Sequence, residues 1–294
     1  MILSIQFETF LRVAETLNFT KGGNQLGLTQ SAVSQQIRYL EDHWGTPLFL
    51  RKGRGVELTE AGAFMYSKGK QIEQLSQRMT QKLGGYKQGR RSFRIGATLT
   101  VGEYIIPPVI AALKQKEAQY DLFLDIGNTA AIIDQLAKGV LDCAVVEGLF
   151  DKTAFKYITL QQDEMVFVYS PLEEMPETIG RGDLKKMILR EEGSGTYEYF
   201  RDYLKKNSII LEEDSIMMRV GSLTAIKSMV ISGMGYTIIS REAVKEELSD
   251  GRLATRPLLW GPLIRDLTLV YTDSSPYFFV EELQTVAAGM NNSI

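Results

Sequence analysis

Apolar residues recur at helical spacing near the start of the chain. Between positions 5 and 17 they are three or four positions apart, which predicts a helix with one buried face. A short second helix, anchored by Leu26, is expected after Asn18, and a third after Thr29, because both polar side chains can cap a helix N-terminus. The chain is therefore predicted to open with three short helices.

The predicted third helix has one apolar and one polar face. Val33, Ile37 and Leu40 face the interior. The polar side carries short hydroxyl and amide side chains with a single arginine: Thr29, Gln30, Ser31, Ser34, Gln35 and Arg38. Such groups hydrogen-bond base edges and phosphates, and no carboxylate occurs there before Glu41. We interpret this face as a DNA-reading surface; a merely solvated helix face is the alternative.

Two short apolar runs, 47–50 and 56–58, flank a basic turn with glycines and predict a β-hairpin. The cations of the turn are Arg51, Lys52 and Arg54. At the tip of such a hairpin, a wing, cations contact phosphates and add affinity more than sequence preference. A solvated turn is the alternative.

A long segment without proline follows, from Thr59 to about Leu83, and predicts a single helix. Its apolar residues approximate a heptad pattern: Met65, Ile72, Leu75, Met79, Leu83 and Tyr86. Such a stripe has to be buried, and pairing with a second copy of the chain predicts a homodimer. Packing on its own chain is the alternative. Gly84-Gly85 and Gly89 are expected to end the helix and supply a hinge.

From residue 93 onward, short apolar runs alternate with helical stretches, which predicts an α/β domain with a largely parallel sheet. The predicted strands are 93–96, 122–126, 143–146, 165–169, 216–220, 236–239 and 267–271.

Small hydroxyl, amide or glycine residues occupy four predicted junctions between a strand and a helix. Helix N-termini attract anions, and in an open α/β sheet they meet in the crevice beyond the strand ends. We therefore expect a small anionic effector, a carboxylate or an oxyanion; plain helix capping is the alternative. The candidate effector-binding residues are Thr98, Leu99, Thr100, Asn128, Glu147, Ser194, Thr196 and Ser222.

The net charge of −3 hides an asymmetry. Residues 1–91 hold 13 basic and 7 acidic residues, and the remainder of the chain holds 20 basic and 29 acidic residues. A basic N-terminal part therefore precedes an acidic C-terminal part. This favours a polyanion-binding head, and uneven surface charge without function is the alternative. One cysteine and one histidine leave no basis for a disulfide framework or a metal site, and no cofactor is expected. Without a visible signal peptide or membrane anchor, we expect a cytoplasmic protein.

The N-terminal part resembles the LysR-type transcriptional regulators. The residues that carry this resemblance are Phe19-Thr20, Leu26, 29–37, Leu40-Glu41, 45–49, Arg51 and 58–62. The chain departs from the family pattern at Gly22-Gly23, where two alanines are usual, and at His43-Trp44. The two glycines are expected to weaken the second helix by about 1 kcal/mol each.

The resemblance implies an α/β protein overall, with a winged helix-turn-helix over 1–58, a linker helix and hinge over 59–89, and an effector domain over 90–294. That domain would resemble a periplasmic binding protein, with one lobe at about 90–164 plus 267–294 and the other at about 165–266. The resemblance further implies that the polar face of the third helix enters the major groove of double-stranded DNA. It also implies that Arg51 and Arg54 contact the backbone, and that dimers or tetramers act with RNA polymerase.

Two other functions are alternatives to a transcription regulator. An enzyme built on the α/β domain is disfavoured, because Glu198 stands where a dinucleotide fingerprint needs its third glycine and no Walker loop occurs. A purely architectural DNA-binding protein leaves about 200 residues unexplained. In several effector domains of the family an arginine follows the threonine that corresponds to Thr196; Tyr197 in that place weakens the transfer of any particular ligand.

Overall fold

The computed structural model describes residues 3–52, 55–86 and 89–291, and the chain divides into two units at Gly89 and Arg90. Unit 1 contains the predicted helices, hairpin and linker helix: α1 (Ile5–Thr16), α2 (Phe19–Asn24), α3 (Gln30–Trp44), β1 (Phe49–Lys52), β2 (Gly55–Leu58) and α4 (Glu60–Tyr86). Strands β1 and β2 pair antiparallel, with Phe49 opposite Leu58. Arg54 lies outside the described residues.

Polar side chains set the beginnings of the short helices. The Asn18 side chain accepts a hydrogen bond from the backbone N–H of Lys21 at 2.9 Å, and the Thr29 hydroxyl accepts one from the N–H of Ala32 at 3.3 Å. Both predicted N-caps are thereby confirmed. Each cap satisfies a backbone donor that the first turn of a helix leaves unpaired.

The glycines of α2 fill a packing role that their helix propensity does not indicate. Both are buried, and a Cβ on Gly22 would lie 2.9 Å from the Cα of Val13 in α1. A Cβ on Gly23 would lie 2.8 Å from a methyl carbon of Val33 in α3. The helix therefore approaches both neighbours more closely than an alanine at either position would allow.

The linker helix α4 extends further than predicted. Its first turn is capped by Thr59, whose hydroxyl accepts from the N–H of Gly62 at 2.9 Å and donates to the carbonyl of Pro47 at 2.7 Å. The prediction that Gly84-Gly85 end the helix is wrong, because the helix continues to Tyr86. Glycine costs a helix about 1 kcal/mol relative to alanine, which a long hydrogen-bonded helix tolerates.

Helix α4 packs closely on α1. A Cβ on Gly69 would lie 2.8 Å from a leucine methyl of α1, so glycine permits the approach. Beside this contact, Arg12 and Glu15 of α1 form ion pairs with Glu73 and Lys70 of α4, and the Lys70–Glu15 distance is 2.7 Å. Glu73 is buried, and Lys70 and Arg12 both neutralise it. The network ties the first half of the linker helix to α1.

Unit 2 alternates strands and helices. Its strands are β3 (Arg91–Thr98), β4 (Tyr120–Gly127), β5 (Cys143–Val146), β6 (Lys156–Tyr169), β7 (Met187–Arg190), β8 (Ile216–Val220), β9 (Thr237–Ser240), β10 (Ala254–Arg256) and β11 (Leu263–Tyr271). Its helices are α5 (Ile106–Lys116), α6 (Thr129–Ala137), α7 (Gly195–Lys206), α8 (Leu223–Ile231), α9 (Lys245–Ser249) and α10 (Tyr277–Asn291). Strands β7 and β10 were not predicted.

The main sheet is mixed, so the prediction of a largely parallel sheet is wrong. Its order is β10-β6-β11-β5-β3-β4, with β9 also pairing with β6. Strand β3 pairs parallel with β4 and β5, whereas β11 pairs antiparallel with β5 and β6, and β9 and β10 pair antiparallel with β6. The two long strands β6 and β11 account for the difference, because every pairing they make is antiparallel.

Strands β6 and β11 run through both halves of unit 2 and divide it into two lobes. Their N-terminal and C-terminal halves contribute to different apolar cores, because Leu267 and Leu269 pack with β3 and α10 while Leu263 and Met165 pack with β7 and α7. The last strand, β11, and the last helix, α10, contribute Leu269 and Phe279 to the core of the first lobe. Between the two cores, Asp163 of β6 stands opposite Arg265 of β11.

Across the described part of the chain, no helix has both the length and the apolar character needed to cross a membrane.

We expect Gly22→Ala to destabilise unit 1 by about 1–3 kcal/mol, although alanine favours helices, because the added Cβ would overlap the α1 backbone. Gly84→Ala is the matched control, since the space around Gly84 is open and α4 should gain up to about 1 kcal/mol. Urea unfolding would be followed by fluorescence in a Trp260→Phe background, which leaves Trp44 as the only tryptophan. Equal or greater stability of Gly22→Ala would contradict the packing argument.

Candidate functional site

The polar face of α3 is open to solvent. All six side chains assigned to it, Thr29, Gln30, Ser31, Ser34, Gln35 and Arg38, are exposed. The acidic residues nearby are engaged: Glu41 turns inward and accepts from the N–H of Leu48 at 2.7 Å, and Asp42 lies 3.9 Å from Arg38. This face therefore presents neutral donors and acceptors with one loosely paired cation.

A polar groove of about 610 Å³ lies between α3 and the hairpin. Gln30, Ser34 and Arg38 line its α3 side, and Arg51 lines the hairpin side. Lys52 is exposed and pairs with Glu57 across the hairpin. Gly55 and Val56 complete the hairpin wall, so α3 and the wing form one continuous surface.

The linker helix carries a stripe of exposed apolar side chains. Ile72, Leu75, Met79 and Leu83 are each about half exposed, and helical geometry places them on one face. Phe64 and Tyr86 lie on the same face and are also exposed, and Phe64 was absent from the predicted set. Met65 differs from the other predicted residues because it packs against the core of unit 1.

In unit 2, three of the candidate effector residues cap helices. Asn128 accepts from the N–H of Ala131 at 2.9 Å and begins α6, Ser194 accepts from the N–H of Tyr197 at 3.2 Å and begins α7, and Ser222 begins α8 in the same way. Asn128 also lies beside the entry to α7, 3.9 Å from where a Cβ on Gly193 would stand. Ser222 is exposed, and the hydrogen bond of its side chain is the cap to Ala225. Thus α6 and α7 begin next to each other, and Gly221, before α8, lies beside Glu191 in the segment that leads to α7.

The remaining candidates surround a fully buried arginine that was not predicted. Arg265 donates to the hydroxyl of Thr196 at 3.1 Å and, at the limit of hydrogen bonding, to that of Thr100 at 3.5 Å. Thr100 follows β3 in one lobe and Thr196 lies on α7 in the other. One guanidinium therefore bridges the two lobes. Neither Thr98 nor Thr100 caps the helical turn that follows, Val101–Ile105, and Leu99 packs against the core of the opposite lobe.

The charge of Arg265 is balanced mainly by Asp163. The guanidinium contacts one carboxylate oxygen of Asp163 through two nitrogens, at 2.8 and 2.7 Å, and Ser240 donates to the other oxygen at 2.7 Å. Glu147 lies further away, 3.9 Å from Arg265. Because a buried ion pair is stable only with further hydrogen bonds, the two threonines and Ser240 are part of what makes this pair tolerable.

The lobes touch directly beside this cluster, a region that we call the seam. A Cβ on Gly195 would lie 2.9 Å from the Cα of Gly148, and a Cβ on Gly148 would lie 2.0 Å from the Thr129 hydroxyl oxygen. Only glycine at both positions allows the start of α7 to meet the loop after β5. The seam is thus closed in this structure, and Thr98, Thr100, Glu147, Ser194 and Thr196 are all buried in it.

Two polar atoms in the seam have no hydrogen-bond partner among the described residues: Oε2 of Glu147 and the hydroxyl oxygen of Thr129. Both side chains are buried. Burial raises the pKa of Glu147, and the positive charge of Arg265 opposes that rise. Buried polar groups are rarely left unpaired, so these two atoms lack the partner that such groups usually have.

Comparison with known proteins agrees with this two-part organisation. Residues 5–63 match the family described as "Bacterial regulatory helix-turn-helix protein, lysR family", and residues 87–277 match "LysR substrate binding domain". The chain belongs to the LysR family. This LysR-type protein is a DNA-binding transcription regulator with an effector-binding domain.

Its relatives include an uncharacterized HTH-type transcriptional regulator of Methanocaldococcus jannaschii, 30% identical over 269 residues that cover 90% of each chain. Another is the HTH-type transcriptional activator CmpR of Synechocystis, 30% identical over 285 residues, covering 94% of this chain and 91% of CmpR. The structure of full-length CbnR with its target DNA has a TM-score of 0.71 at 17% identity and covers 96% of this chain and 98% of CbnR. The last likeness shows the fold.

In this LysR-type regulator, sequence reasoning missed the centre of the seam: Arg265, Asp163 and Thr129. The local signal was weak, because Asp163 is followed by Glu164 and Arg265 by Asp266, so the pattern does not single out the charges that are buried. Their pairing was not predictable, since the two residues are 102 positions apart.

We expect Arg265→Met to lower the free energy of unfolding of unit 2 by about 3–5 kcal/mol, because it leaves Asp163 buried without its cation. The matched control is Arg241→Met, because Arg241 and Glu164 are paired but half exposed; its cost should stay below about 1 kcal/mol. Urea unfolding would be followed by Trp260 fluorescence in a Trp44→Phe background. A cost for Arg265→Met no larger than for the control would contradict the structural role of the pair.

Proposed function

We propose that this regulator reads specific double-stranded DNA with α3 and the wing, self-associates through α4, and is controlled by a small anionic effector at the seam. The observation that carries the DNA-reading proposal is the exposed face of α3, with its amide, hydroxyl and arginine groups and no free carboxylate. Gln and Arg side chains of this kind discriminate base pairs in the major groove. We propose Gln30, Ser31, Ser34, Gln35 and Arg38 for base and phosphate contacts, and Thr29, Arg51, Lys52 and Arg54 for phosphate contacts.

Self-association through α4 rests on the exposed stripe of Ile72, Leu75, Met79 and Leu83. Four apolar side chains on one face of an isolated helix segment gain stability when a second helix covers them. A second copy of the chain is the simplest partner, because a dimer also presents two α3 helices to two half-sites of DNA. We propose a homodimer, which can assemble further into a tetramer.

An anionic effector is supported by the seam. Helices α6 and α7 both begin there, so their backbone N–H groups and dipoles favour negative charge. Arg265 supplies a fixed cation, and Thr98, Thr100, Asn128, Ser194 and Thr196 supply short polar groups. We include Leu99 and Glu147 in the site through their positions in the seam, and Ser222 because it caps α8 next to Gly221, which lies beside Glu191.

The effector would control the regulator by shifting the equilibrium between open and closed arrangements of the two lobes. An effector that contacts both lobes at once binds the closed arrangement better and stabilises it. Only a difference in effector affinity between the two arrangements can change how the protein binds DNA. The regulator would then act on transcription by altering the bend or spacing of the bound DNA, or its contact with RNA polymerase. We propose no catalytic activity: the single histidine, His43, is exposed on α3 and stacks on Tyr39.

The DNA-reading proposal is tested by binding of the purified full chain to fragmented genomic DNA of the source organism at near-physiological salt. Gln30→Ala should lose sequence discrimination by about 1–3 kcal/mol at one position of the site. Arg38→Ala should weaken binding and reduce its salt dependence. Gln74→Ala, an exposed glutamine on α4, is the matched control and should leave the bound fragments unchanged. Salt-sensitive binding without sequence preference in the unsubstituted protein would instead support an architectural role.

Self-association is tested by light scattering during size-exclusion chromatography. Leu75→Glu places a carboxylate in the proposed helix pair and should shift the protein to monomer, because two buried charges of the same sign would face each other. Gln77→Glu adds the same charge on the opposite face of α4, where it is solvated, and should keep the assembly. An unchanged mass for Leu75→Glu would show that the stripe is not the contact.

A further inference from the structure

Glu147 is surrounded by groups that leave one of its oxygens unsatisfied. Its backbone N–H donates to the Thr98 hydroxyl at 3.4 Å, and its Oε1 lies 3.9 Å from Arg265, beyond hydrogen-bond distance. Its Oε2 has no partner within the described residues. The carboxyl group is only 2% exposed, so solvent does not replace the missing partner.

The charged groups that face Glu147 are already committed elsewhere. Arg265 on β11 is held by Asp163 and Thr196. Arg190 at the end of β7 donates two hydrogen bonds of 2.8 Å to Glu191. Asp163 on β6 adds negative charge. Glu147 therefore has no cation of its own.

The Thr129 hydroxyl oxygen is the second unpartnered atom, and it lies at the first turn of α6 against the backbone of Gly148. A hydroxyl can donate to an anion, as can the free N–H groups of the first turns of α6 and α7. Donors of both lobes therefore lie at the seam, where α6 and α7 begin, and Glu147 Oε2 is a buried acceptor of the same seam. One guanidinium is long enough to contact Thr100 in one lobe and Thr196 in the other, so the lobes are close together here. A ligand between them therefore has to be small.

We propose that the seam binds a small inorganic oxyanion together with one proton, which is held between Glu147 Oε2 and an oxygen of the anion. This inference rests on the proposed effector function of the seam. Thr129 and the N-termini of α6 and α7 donate to the other oxygens. Glu147 is thereby a specificity-determining residue, because a site made only of donors would bind an anion without any proton.

The proton is required by elementary electrostatics. Two deprotonated oxygens repel each other and cannot form a hydrogen bond, so either Glu147 or the anion has to carry hydrogen. Burial raises the pKa of Glu147 and makes its protonation less costly. Sulfate brings no proton at neutral pH, so its binding takes one up from solvent wherever free Glu147 is ionised. Monohydrogen phosphate brings its own proton and takes up none.

The sign of the pH dependence follows. Because sulfate binding takes up a proton, its affinity falls as pH rises, by about tenfold per unit where Glu147 is ionised in the free protein. Glu147→Gln replaces the protonated carboxyl by an amide that always has a donor. In that variant sulfate affinity should be independent of pH.

The experiment is isothermal titration calorimetry of the full chain with sodium sulfate and, separately, sodium phosphate, between about pH 7 and about pH 9. Each titration is repeated in two buffers with different ionisation enthalpies, which gives the number of protons taken up. Near the upper pH we expect close to one proton for sulfate, none for phosphate, and none for either anion in Glu147→Gln. Thr129→Val should weaken both anions and leave the proton count unchanged.

Sulfate binding without proton uptake and with equal affinity at both pH limits would overturn this inference and leave the anionic effector site standing. The same slope in Glu147→Gln as in the unsubstituted chain would also overturn it. If neither anion binds at any pH, this inference is overturned, and the anionic effector of the proposed function would have to be a carboxylate.

Discussion

The pairing of Arg265 with Asp163 is the contact on which the arrangement of the effector-binding domain depends. The two residues stand opposite each other on the long strands that run through both lobes. Burial of the two charges costs several kcal/mol, which is offset only if every remaining hydrogen-bonding position is used. Arg265 donates its further hydrogen bonds to Thr196 and Thr100, and Asp163 accepts one from Ser240. These three residues come from different elements. The pair thus fixes the closed seam as well as its own two strands.

The features that sequence could predict are local ones. The helices of the N-terminal unit follow from apolar spacing, and their beginnings follow from Asn18 and Thr29, whose caps involve residues three positions away. The polar face of α3 follows from the same periodicity. The assignment of these side chains to DNA stays a prediction, supported by membership of the family.

The features that sequence could not predict depend on distant contacts. Gly22 and Gly23 look like weak points of a helix until Val13 and Val33 are placed beside them. The mixed sheet depends on where β11 inserts between β5 and β6, which no local pattern encodes. Glycine propensity predicts a helix end at Gly84, but the helix continues to Tyr86.

The cation of the seam, Arg265, lies on a strand and not at position 197 of α7, which Tyr197 occupies. An arginine at this position would have been the expected anion-binding group of α7, but Tyr197 packs with the core of its own lobe and lies within 6.0 Å of Arg201 and Arg219. The seam instead receives its charge from Arg265 on a buried strand. A guanidinium held on a strand by Asp163 has less freedom than one on a helix surface, so its contacts with Thr100 and Thr196 vary only when the lobes move. In this chain, therefore, one guanidinium both neutralises Asp163 and contacts the two lobes.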